Sequence, residues 1–118
     1  MKHPAISKMG DQYFIGCAHC GGDFMHQTDV EVFRRDREDS PTGLHAWTRG
    51  VEFVTSKSME GNPGVRRDAV ILSFWCEQCD CTTVLEIVQI KGAEVVDVRV
   101  EEPVEALEPA SSERNPSC

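Results

Sequence analysis

The residues best placed to do chemistry in this 118-residue chain are its cysteines. Cys17 and Cys20 stand in "CAHC", Cys76 and Cys79 in "CEQC", and 55 residues separate the two pairs. A CxxC folded into a tight turn sets both thiolates on one side of the chain. Two such pairs supply the four soft ligands of a closed, tetrahedral, structural Zn²⁺ site. Gly21 follows the first pair, at the place where such a turn needs left-handed backbone, and Asp80 holds the equivalent place after the second. A redox dithiol is the rival use of a CxxC, but that motif opens a helix in a βαβ setting and neither pair does. Four thiolates do not by themselves separate zinc from iron.

The remaining candidates rank below these four. Cys81 lies two residues past Cys79, so in a strand both face the same way; it reads as a small buried hydrophobe beside the site, with a substitute ligand as the alternative. Cys118 falls in the C-terminal tail. His19 sits inside the first CxxC and reads as a solvent-facing residue of the turn. His26 and His45 lack ligand spacing and read as surface or hydrogen-bonded residues.

The elements that must position the thiols are strands. "YFIG" (13–16) leads into the first pair, and "AVILSFW" (69–75), apolar on both faces, leads into the second as the expected central strand. "TTVLEIVQI" (82–90) is rich in β-branched residues. "KG" (91–92) offers a tight turn, and "EVVDVRV" (94–100) alternates. These last three runs read as an antiparallel meander. "DVEVFRR" (29–35) and "GVEFVTS" (50–56) add two strands, "REDSPTG" and "MEGNPGVRRD" read as loops, and "GLHAWTRG" reads as a helical turn. Each cysteine pair is then expected at the turn of a hairpin, with the two tips facing each other across the ion. Residues 1–11 are expected to form a flexible arm, 12–100 one β domain, and 101–118, rich in Pro, Glu and Ser, a disordered acidic tail.

"CAHCGG" and "CEQC" resemble the knuckles of zinc ribbons. The resemblance implies a small, mainly β, antiparallel domain, here with an elaborated insert between the knuckles. More broadly, "CAHCGG", "VEVFRRDRED", "GNPGVRRD", "FWCEQC" and "LEIVQIKG" resemble a set of small uncharacterised bacterial, phage or mobile-element proteins. That implies a setting and no activity.

Composition narrows the function further. Aromatic residues make up 7% of the chain, so the core is light and a metal staple is expected. The net charge is −8, and residues 12–100 alone carry 14 acids against 9 Lys or Arg, a net of −5. Such a surface is a poor nonspecific binder of nucleic acid. Arg34, Arg35, Arg37, Arg66 and Arg67 are the candidate phosphate contacts, but acids interleave them, and an internally paired cluster is the plainer reading. Trp47 is the candidate partner contact. No membrane-length apolar run, secretory leader, nucleophile motif or phosphate-binding loop stands in the sequence. The expectation is a cytoplasmic, non-catalytic zinc protein that binds another protein, such as a phage or mobile-element factor acting on a host protein. The alternatives are a nucleic-acid-binding zinc ribbon and a rubredoxin-like electron carrier.

Overall fold

The computed structural model describes residues 6–101, and every regular element among them is a β-strand. In chain order these are β1 (Ile6–Met9), β2 (Gln12–Ile15), β3 (Met25–Arg35), β4 (Thr42–Arg49), β5 (Glu52–Ser58), β6 (Ala69–Cys76), β7 (Thr82–Ile90) and β8 (Ala93–Val100). β1 and β2 form a two-stranded antiparallel sheet, and the other six form one sheet in the order β5-β4-β3-β6-β7-β8. The mainly β, antiparallel expectation therefore holds.

The strands follow from local chemistry. β6, the most continuously apolar run, is an interior strand whose edges both pair, with β3 on one side and β7 on the other. Lys91, at φ 55°, turns the chain from β7 into β8. Gly10, at φ 64°, does the same between β1 and β2, so a paired strand occupies part of the segment expected to be a loose arm. Residues 1–5 of that arm, the tail beyond Glu101, and Cys118 lie outside the described residues.

One element corrects the sequence reading. "GLHAWTRG" is not a helical turn but most of β4, paired with β3 through Glu31↔Trp47 and Phe33↔His45 and with β5 through Trp47↔Val54. The expected insert between the knuckles is thus β3, β4 and β5 with their loops.

The stretch read as one domain is distributed over two compact units. The first comprises residues 6–27, 74–84 and 98–101 of the described chain, and the second residues 28–73 and 85–97. The first holds all four candidate ligands. The second has an apolar core of Phe33, Met59, Ala69 and Val88, with Ile71 packed against it. Its loops are stapled by Arg35, whose guanidinium donates to the carbonyls of Ser40, Gly64, Val65 and Arg67, while its backbone N–H donates to Asp68 Oδ1.

Candidate metal centre

The two CxxC segments fold into the same turn. In the first, the Gly21 N–H donates to the Cys17 carbonyl at 2.9 Å and the Cys17 N–H to the Gly22 carbonyl at 2.8 Å. In the second, the Asp80 N–H donates to the Cys76 carbonyl at 2.8 Å and the Cys76 N–H to the Cys81 carbonyl at 2.9 Å. Gly21 and Asp80 take the left-handed conformations that close these turns, at φ 80° and 66°. Asp is strained there more than Gly, and Asp80 is held by a 2.6 Å hydrogen bond from the Trp75 indole N–H.

The turns differ in what they connect. The second lies at the tip of the β6–β7 hairpin, as expected. The first does not close a hairpin: it leads from β2 to β3, which belong to different sheets. Two hydrogen bonds set the turns against each other. The Glu77 N–H donates to the Phe24 carbonyl at 3.1 Å, and the Ala18 N–H to Thr83 Oγ1 at 2.9 Å. Thr83 is fully buried, a polar side chain in an otherwise apolar setting. Its role is to join the first turn to the start of β7, and nothing in the sequence pattern singled it out.

This arrangement brings the sulfurs of Cys17, Cys20, Cys76 and Cys79 within 4.8 Å of one another. Cys17 Sγ is 3.4 Å from Cys79 Sγ, and Cys20 Sγ is 3.7 Å from Cys76 Sγ. Four sulfurs at metal–sulfur bonds of about 2.3 Å occupy the corners of a tetrahedron with edges of about 3.8 Å. The cluster fits that figure, so these four residues could hold one metal ion. Cys81 is buried, and its Sγ lies 3.6 Å from the Cys79 carbonyl oxygen; it is not one of the four clustered sulfurs. His19 also stands outside the cluster.

Backbone amides point at the sulfurs. The N–H groups of His19 and Cys20 approach Cys17 Sγ at 3.3 and 3.4 Å, and that of Gly22 approaches Cys20 Sγ at 3.4 Å. Burial works to raise the Cys17 thiol, but the amides of Cys20 and His19, with help from Cys79 and Thr83, outweigh it and bring the thiol down to about 7. Cys79 goes the other way. Burial and the neighbouring sulfurs push it up to about 12, against the opposing amide of Cys81. At Cys20 the Gly22 amide pulls down, yet burial and Cys76 leave the thiol raised. A cation between the sulfurs would favour the thiolate form of all four.

The other candidates fall elsewhere. Arg66 pairs with Asp39 through both Nε and Nη2 and also reaches Glu38, which Arg67 contacts at 3.1 Å. The Arg66–Asp39 hydrogen bonds hold the Asp39 carboxyl below its usual range. Arg35 is spent on loop carbonyls, while Arg34 and Arg37 are exposed and take no part in this pairing. Trp47 is half-buried in β4, not in a loop. His26 and His45 are both partnered, by Glu77 and Glu31 respectively. Among the described residues no helix is long and apolar enough to cross a membrane. In comparison with known proteins, no family model, no curated protein and no solved structure matches this chain.

Proposed function

We propose that the chain is a non-catalytic zinc protein whose Cys17/Cys20/Cys76/Cys79 centre is structural, and that it works by binding another protein. The observation that carries the first half is the closed set of four sulfurs at near-tetrahedral separations. Four thiolates saturate a tetrahedral Zn²⁺ and leave no position for a reacting water. Zinc, when bound, supplies the positive charge the four sulfurs need. The protein's own residues supply the turns, the amide hydrogen bonds and the burial. Metal analysis of purified protein is expected to return one zinc per chain, lost on Cys76→Ser; protein that folds without any metal overturns the reading.

The binding half draws on the net charge of −8 and on thiol ligands that suit a reducing, cytoplasmic setting. A phage or mobile-element factor acting on a host protein is a role of this kind. A pull-down with metal-loaded chain as bait, washed at moderate salt, is expected to retain a defined partner. An empty eluate counts against this half alone. The nucleic-acid alternative loses support from the pairing of Arg66 and Arg67 with Glu38 and Asp39; a salt-sensitive shift of labelled DNA, abolished by Arg66→Ala with Arg67→Ala, would restore it. The amide–sulfur hydrogen bonds favour one second reading, a rubredoxin-like iron carrier, since such bonds tune the potential of iron–thiolate sites. Red protein as isolated would support it; colourless zinc-loaded protein would remove it.

A further inference from the structure

The second unit carries a groove that the metal centre does not explain. On β3 and β4 the pairs Glu31↔Trp47 and Phe33↔His45 stand side by side on one face of the sheet. Phe33 is buried in the core, and His45 stacks on it with ring centroids 4.0 Å apart and planes 13° off parallel. Trp47 leans on His45 at 4.3 Å, so the stack climbs from the core toward solvent. Beside it a cavity of about 350 Å³ opens, lined by Asp29, Glu31, His45, Trp47, Ile71 and Ser73 among others. That is near the lower end of small-ligand pockets, which run from about 300 Å³ upward, and it suits one long side chain better than a larger molecule.

The charge of this lining has one sign. It contains two carboxylates and no Lys or Arg. His45 Nε2 lies on Glu31 Oε2, and Thr48 Oγ1 donates to Asp29 Oδ1. Each carboxylate keeps a second oxygen, and the groove is net negative even with His45 counted as a cation. An aromatic wall beside two carboxylates matches a planar cation, which can lie against an indole while its N–H groups reach carboxylate oxygens. An ammonium offers neither the plane nor the fork. Charge also argues against the chain's own C-terminal segment as occupant, since residues 102–118 hold four Glu against one Arg.

We propose that the Glu31–His45–Trp47 groove binds an arginine side chain presented by a basic segment of a partner protein. This deepens the protein-binding reading and rests on it.

The test is a titration of ¹⁵N-labelled, metal-loaded full chain with an acetylated Gly-Arg-Gly-Arg-Gly amide, following the Trp47 indole N–H. A saturable shift is expected, weakened at least about tenfold by Glu31→Gln or by citrulline in place of arginine. Unchanged amide peaks elsewhere in the second unit, such as Arg35 and Asp68, report whether each variant keeps the fold around the groove. Three results overturn the proposal: no shift at about 10 mM peptide, equal shifts with arginine and citrulline, or binding unchanged in Glu31→Gln with Asp29→Asn. So does a Trp47 signal that moves on dilution, which makes a second copy the occupant, or on deletion of residues 1–5, which makes it the chain's own Lys2. A peptide failure alongside a partner retained in the pull-down removes the groove alone; failure of both removes the binding reading as well.

Discussion

The two units solve the same problem by different means. The first gathers four sulfurs, and its apolar contribution is small: Ala18, Phe74 and Val84 are buried with Cys17, Cys76 and Cys81. The second has no thiol and packs Phe33 against Met59, Ala69 and Val88, with Arg35 fastening the loops around them. One offers four sulfurs that could hold an ion, the other relies on close packing and hydrogen bonds. The difference teaches that a chain poor in aromatics can close one half by packing around a single buried ring and let ligand chemistry serve the other.

The largest way to break this comparison is to remove the ion. Structural zinc is worth about 10–16 kcal/mol in finger peptides at neutral pH. Chelation is expected to strip amide protection from the turns at Cys17–Gly22 and Cys76–Cys81 first. Hydrogen exchange read by mass spectrometry checks this, and unchanged protection there means the ion is not the staple. Next in size is Phe33→Ala, which should destabilise by about 3–5 kcal/mol while leaving one metal per chain. A denaturant curve together with metal analysis separates the two effects.

Thr83→Val sharpens the contrast at a fully buried polar side chain of the first unit. It keeps the shape and strands the Ala18 N–H, for an expected loss of about 1–3 kcal/mol. Thr83→Ser should restore most of it.

Much of the site was legible because ligand spacing is a local signal. The CxxC pairs, Gly21, and the runs around Cys76 are each contained in a few residues, and β6, β7 and β8 announce themselves by apolar content or alternation. What failed was non-local. "GLHAWTRG" hides its alternation because Gly43 and Ala46 are small and His45 and Trp47 are polar-tipped; its partners on β3 and β5 make it a strand. β1 is four residues long and apolar at only two of them, so pairing with β2 defines it. The arginines could not be placed from sequence at all. Arg35 and Arg66 look alike in a list of cations, yet one holds loop carbonyls together and the other pairs with Asp39. Thr83 was silent for the same reason, since its partner Ala18 is 65 positions away.

The unlike settings of the two turns have a kinetic consequence. The β6–β7 hairpin brings Cys76 and Cys79 together with almost no chain to organise, whereas uniting them with Cys17 and Cys20 must close a loop of more than 50 residues. An arriving ion therefore meets a ready two-toothed claw first and waits there, half-dressed, for the distant pair to swing in. Assembly is therefore expected to run from the C-terminal side of the centre to the N-terminal side, opposite to the order in which a ribosome delivers the ligands.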